Sequence, residues 1–371
     1  MRRPRLRVLA LAVAVVAATV ATVATTTAST APKKQFSVAL LTTGAVNNRS
    51  WANAWADGVK KAGKDFNVKV TLVGNLDAPD QYVSQGSSFA SKGVDMIIMA
   101  HGAQQAAAVK LANQFSKVKI VQFPFEFKTY AEQVKSEPAN VGHGDVEQQY
   151  GAFLAGVLAG LMTKTGKIGA VYAFPFPALT RQPEGFELGA KCVNSKVQFV
   201  QKQTGSFTDA ALARAAASSL IHDGADIVFA AVDQAVQGVV QAAAQAPHKS
   251  YAIASYYDDH NLNPKVVLTS VLYNLQGVGY DLVKRLVKGQ LPNHFYRSYN
   301  LKNAHVGELA PFYNLSSEVP ASVKTTLAQI RAKILSGAIK IPDETQGTPT
   351  IGTVGSGAKI NVASLGCKPI K

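Results

Sequence analysis

The chain has 371 residues, 47% of them hydrophobic, and a formal net charge of +15. That length suits two lobes of about 100–150 residues rather than one small core. The positive balance raises nucleic acid as a partner, but after the N-terminus no basic run exceeds two residues, so the basic patch that nucleic acid needs is missing.

Residues 1–31 read as a signal peptide. Arg2, Arg3, Arg5 and Arg7 form a cationic start, an apolar Ala/Val run follows at 8–24, and small residues offer cleavage near Ala28. The run is short for a membrane span, which takes about 20 residues. No cysteine lies beside the cleavage region, so the expectation is an exported protein without a lipid anchor. Cys192 and Cys367 are the only cysteines, and export allows a disulfide between them or two free thiols.

Strands and helices then alternate. The first half reads as strands at 36–41, 68–73, 95–100 and 118–123, separated by helices at 50–66, 80–91 and 103–116. The strands are continuous apolar runs, as in a parallel sheet covered on both faces. A crossover is expected at 140–144, followed by a helix at 146–163 and a second βα series. Its strands fall at 167–173, 197–201, 226–231, 251–255 and 266–272, with helices at 182–191, 209–223, 234–246 and 275–289. A helix at 320–337 closes the fold, and the Gly/Thr/Ser/Pro-rich tail 342–371 reads as an extended segment.

The first strand–helix junction organises the reading. Trp51, Ala54, Trp55, Val59, Ala62 and Phe66 share one helical face, and Ser50 is placed to cap it. The loop 42–50 then sits at the carboxyl end of a strand, where open α/β sheets bind ligands. Its amides, hydroxyls and neighbouring indole suit a neutral polar ring compound better than catalysis.

Catalytic and cofactor motifs fail. No GxGxxG opens a helix, and no GxSxG is present. Residues 160–167 imitate a phosphate-binding loop, but the glycine spacing is wrong and no Ser or Thr follows Lys167. The seven histidines lack metal-ligand spacing, and Asp258-Asp259-His260 reads as a solvated turn. Neither a cofactor nor a metal nor an enzymatic activity is expected.

Several stretches, in order, resemble one family. They are Asn47-Asn48-Arg49-Ser50-Trp51 with Trp55-Ala56-Asp57-Gly58, Asn140-Val141 with Tyr150 through Gly156, and Gly166-Lys167-Ile168-Gly169 through Arg181, Gly185-Phe186 and Gly189-Ala190. Gly205-Ser206-Phe207-Thr208-Asp209, Gly224 through Val228, Val267 through Val271 and Ala304 through Phe312 continue the series. Together they are similar to the basic membrane protein family, the purine-nucleoside-receptor-like solute-binding proteins of ABC transporters.

The resemblance implies a type I periplasmic-binding fold: two doubly wound α/β lobes joined by a three-strand hinge. Residues 36–141 and 270–297 would form the N-terminal lobe, and 142–269 and 298–341 the C-terminal lobe. Crossings are expected near 140–144, 269–270 and 296–300. The implied partners are a small-molecule ligand and a membrane permease, with the protein a monomer. Two aromatic rings sandwich a base in the family, and the matching positions are Trp51 and Phe207. Asn48 stands where the family commonly has Asp, Tyr256 where it has the ribose-binding Asp, and Tyr273 where it has Lys. Asp233 replaces part of a Gly-rich turn. Asp209 and Asp258 complete the expected ligand set. Loss of the ribose carboxylate favours a free base or another flat heterocycle. A sugar-binding protein and a receptor ectodomain are the alternatives.

Overall fold

The computed structural model describes residues 34–124, 136–175, 177–341 and 365. The signal-peptide segment and Cys367 lie outside the described residues. Leu365 is the one described residue of the tail, and it is buried in the main core.

Two six-stranded sheets form the frame. The first contains β1 (Ser37–Thr42), β2 (Lys69–Val73), β3 (Met96–Ala100), β4 (Lys119–Phe123), β5 (Val141–Val146) and β11 (Tyr296–Tyr299) in the order β11-β5-β4-β3-β1-β2. Every pairing in it is parallel. The second contains β6 (Lys167–Tyr172), β7 (Gln198–Gln203), β8 (Ile227–Ala231), β9 (Tyr251–Ser255), β10 (Val267–Leu272) and the short antiparallel β12 (Glu308–Leu309).

Both sheets are buried on two faces, which explains why their strands lack alternation. In the first, α1 (Trp51–Phe66) and α8 (Leu275–Val287) cover one face, and α2 (Pro79–Ser91) and α3 (Gln105–Gln114) the other. In the second, α4 (Gln148–Met162) and α5 (Pro177–Val193) face α6 (Ala210–His222) and α7 (Val236–Ala244) across the strands. The short α9 (Leu301–Ala304) and the terminal α10 (Ala321–Ser336) complete the chain.

The chain changes sheets later than the sequence suggests. Residues 141–146 form a strand of the first sheet, so the first crossing is at Glu147 and the following helix starts at Gln148. All of β10 belongs to the second sheet and all of β11 to the first, which puts the other crossings at Tyr273–Asn274 and Asn300. Glycines and polar residues in 141–146 hide the strand: Gly142 and Gly144 give room to Phe295 and Phe123, and His143 and Asp145 are buried with partners. The crossings are tied together. The Glu147 carboxylate accepts hydrogen bonds from Ser298 Oγ and, at 3.1 Å, from Asn300 Nδ2, while its amide donates to Tyr299 O.

Glycines explain how the helix pairs approach. A Cβ on Gly156 would lie 1.9 Å from Phe186 O, and one on Gly189 1.9 Å from Phe153 O. Backbone therefore meets backbone between α4 and α5, and no side chain can yield. Gly189→Ala should separate the pair and cost about 1–3 kcal/mol by overpacking. Urea unfolding checks this; an unchanged midpoint would remove the close-approach explanation.

Cys192 is fully buried on α5.

Candidate functional site

The carboxyl ends of the two sheets face one another, and the loops that leave them line a cavity of about 430 Å³. Thr43 follows β1, His101 and Gly102 follow β3, and Pro124 follows β4. From the second sheet come Phe207 after β7, Asp233 after β8, Tyr256 after β9, and Leu179 on α5. This is the ligand position that parallel α/β topology favours.

Trp51 opens α1 and forms one wall. Its indole Nε1–H donates to Ala100 O at 2.8 Å. Its ring meets Tyr256 edge-on, with centroids 5.7 Å apart, and leans on Trp55 at 6.0 Å. The indole is thereby fixed before any ligand arrives. Phe207 enters from the opposite lobe and packs on Phe174 at 4.9 Å.

Asp233 joins the lobes directly. Its Oδ1 accepts the Trp51 amide at 3.0 Å, so a carboxylate of the second lobe bonds the N-terminus of a first-lobe helix. Burial pushes its pKa up, against the Ser50 hydroxyl and the Trp51 amide, which pull it down. Asp233 and Tyr256 both have positive φ, 49° and 73°. Non-glycine residues persist there only when their surroundings hold them, and such strain gathers at ligand sites.

Gln182 sets the Tyr256 hydroxyl. Gln182 Nε2 donates to Tyr256 Oη at 2.8 Å and to Gln148 Oε1 at 3.2 Å, while Tyr273 donates to Gln182 Oε1 at 3.0 Å. Burial raises the Tyr256 pKa, so this hydroxyl stays neutral. Behind this wall, Arg181 donates to both carboxylate oxygens of Asp145, at 2.9 and 2.7 Å, and to Val146 O at 2.6 Å.

Four of the eight expected ligand residues thus line one cavity: Trp51, Phe207, Asp233 and Tyr256. The other four are placed elsewhere. Tyr273 lies one layer behind, on Gln182. Asn48 Oδ1 accepts the amides of Ser50 and Asn53, so Asn48 performs the capping expected of Ser50, whose side chain makes no cap bond. Asp209 caps α6 through the Ala211 and Leu212 amides. Asp258 receives the Tyr313 hydroxyl at 2.6 Å.

Sequence reading missed His101 and Gln148. His101 is set by tertiary packing: burial lowers its pKa to about 4, against the opposing pull of Asp77, so the ring is neutral at pH 7. Gln122 donates to the carbonyls of His101, Gly102 and Pro124 and so shapes that wall. No Lys or Arg lines the cavity among the described residues. The walls are aromatic, with an amide, an imidazole, a hydroxyl and one carboxylate. They can stack on and hydrogen-bond a flat uncharged ring, and they form no nucleophile–base pair.

Fold and cavity together define a two-lobed binding protein. Residues 35–345 match the family described as ABC transporter substrate-binding protein PnrA-like, and the chain belongs to that family. It is 27% identical over 308 residues to basic membrane protein D of Borreliella burgdorferi, covering 82% of this chain and 87% of that one. It is 26% identical over 332 residues to the ABC transporter nucleoside-binding protein BmpA of Lactococcus lactis, covering 84% and 90%. Among solved structures, an ABC transporter solute-binding protein from Aeropyrum pernix superposes with a TM-score of 0.70 at 20% identity, covering 83% and 93%. The protein is therefore an ABC transporter solute-binding protein, without a catalytic step, of the periplasmic-binding fold.

Proposed function

We propose that this protein captures a purine base, a nucleoside or a similar planar heterocycle between Trp51 and Phe207, outside the cytoplasm, and presents it to an ABC import permease as a monomer. The carrying observation is that these two rings, one from each lobe, line the same cavity. The Lactococcus relative named as nucleoside-binding supports the ligand class. Stacking on each face contributes about 1–3 kcal/mol, and a ligand touching both lobes shifts the open–closed population toward closure. The three chain crossings serve as the hinge, and residues 1–31 as the export signal. Among the described residues no helix is long and apolar enough to cross a membrane.

A thermal-shift and calorimetric screen of purines, pyrimidines, nucleosides and sugars tests this. At least one purine derivative should raise the melting temperature. Trp51→Ala and Phe207→Ala should each weaken it by about 5- to 150-fold, the equivalent of one lost stacking face. Binding of a sugar with no response to any nucleobase compound would overturn the reading.

A further inference from the structure

Four buried side chains form the second-lobe wall of the cavity and its backing, and their hydrogen bonds run one way. Tyr273, fully buried after β10, donates from its hydroxyl to Gln182 Oε1 at 3.0 Å. Gln182, fully buried on α5, uses both hydrogens of its Nε2: one goes to Tyr256 Oη at 2.8 Å, the other to Gln148 Oε1 at 3.2 Å. This amide cannot turn over alone, because its oxygen would then meet the oxygen of Gln148. Tyr256 and Gln148 line the cavity, whereas Gln182 and Tyr273 stand behind them.

The direction of these bonds fixes what the cavity meets. With its oxygen held by Gln182, Gln148 has its Nε2 hydrogens left, and that nitrogen bonds no described residue. Tyr256 accepts from Gln182, so its own hydroxyl hydrogen points the other way. Both wall groups therefore face the cavity as donors. We propose that Gln182 and Tyr273 are positioning residues that set this donor polarity, and that the site consequently selects a ring whose edge carries two neighbouring acceptors over one that carries a donor there. A 6-oxopurine has such an edge, O6 beside N7, and a 6-aminopurine replaces O6 with an N–H donor. A buried donor set against a donor leaves both unsatisfied, the costly case for a hydrogen bond. The inference rests on the ring-binding reading above and adds to it a discrimination between rings of the same size.

Calorimetry on the full chain with hypoxanthine and adenine, and with inosine and adenosine, tests the polarity. The members of each pair share a ring frame and differ at position 6 and at the N1 hydrogen beside it. The oxo member should bind about 5- to 150-fold more tightly, the discrimination carried by one paired set of hydrogen bonds. Gln182→Glu keeps the side chain's size, but a carboxyl offers at most one donor and cannot hold both wall groups, so the preference should vanish or reverse. Tyr273→Phe removes only the first hydroxyl of the series and should shrink the same ratio. A variant that merely loosened the fold would weaken both members alike and leave the ratio where it was. Equal affinity for the two members, tighter binding of the amino member, or an unchanged ratio in both variants would each overturn the polarity while leaving ring binding intact. Failure of every base and nucleoside to bind overturns both readings.

Discussion

Arg181→Ala is expected to destabilise the folded chain by about 3–5 kcal/mol, the usual cost of leaving one partner of a buried ion pair uncompensated. Arg181 is fully buried, Asp145 is 1% exposed, and the two meet through paired bonds of 2.9 and 2.7 Å. The guanidinium also holds Val146 O, one residue before the first crossing. Asp145 lies on the first sheet and Arg181 on a helix of the second lobe, so the pair fastens one lobe to the other beside the first crossing. Its desolvation is large, and replacing both charges by apolar groups of similar size should therefore cost much less than removing the arginine alone. Urea unfolding of Arg181→Ala and of the double variant Asp145→Leu with Arg181→Met separates the two. A single-variant loss below about 1 kcal/mol, as for an exposed pair, would show that water reaches the site.

Asp259→Asn should stabilise the protein at neutral pH and change it little near pH 4. Asp259 is 3% exposed, and its Oδ2 has no hydrogen-bond partner among the described residues. Burial raises its pKa to about 7, Arg49 opposes this, and Asp258 and Asp233 add to it. The sign follows from proton counting. Between the unfolded value near 4 and the folded value near 7 the native state holds a proton that the unfolded chain has lost, so stability falls as pH rises through that window. The whole span amounts to about 4 kcal/mol at most, at about 1.4 kcal/mol per unit. An amide carries no charge to bury, so the variant should lose this slope. Unfolding midpoints at pH 4, 6 and 8 for both proteins measure it. Parallel curves would mean that the carboxylate is ionised throughout.

Trp51 was legible because a strand, a polar loop and an amphipathic helix meet there within fifteen residues. Phe207, Asp233 and Tyr256 were named through the family resemblance, at positions that follow a strand of the second sheet. Asn48 and Asp209 sit at comparable positions, yet their carbonyl and carboxylate oxygens are used by helix amides. From sequence a cap and a ligand contact have the same address. Asp258 and Asp259 show a related limit, since two adjacent acids divide into a half-exposed partner of Tyr313 and a buried carboxylate.

The sequence by itself determined the alternation of elements, the two-lobed class and the neutral character of the site, because these depend on local periodicity and on the residue types near strand ends. Only the tertiary structure decided which polar side chains meet. Arg181 and Asp145 are 36 residues apart, Gln182 and Tyr256 are 74 apart, and Trp51 and Asp233 are 182 apart. It also moved the first crossing to Glu147, because Gly142, His143, Gly144 and Asp145 carry no strand signal and are held extended by neighbouring strands and buried partners. His101 entered the site in the same way: it follows β3, whose place beside β1 and β4 is a pairing that local sequence does not encode.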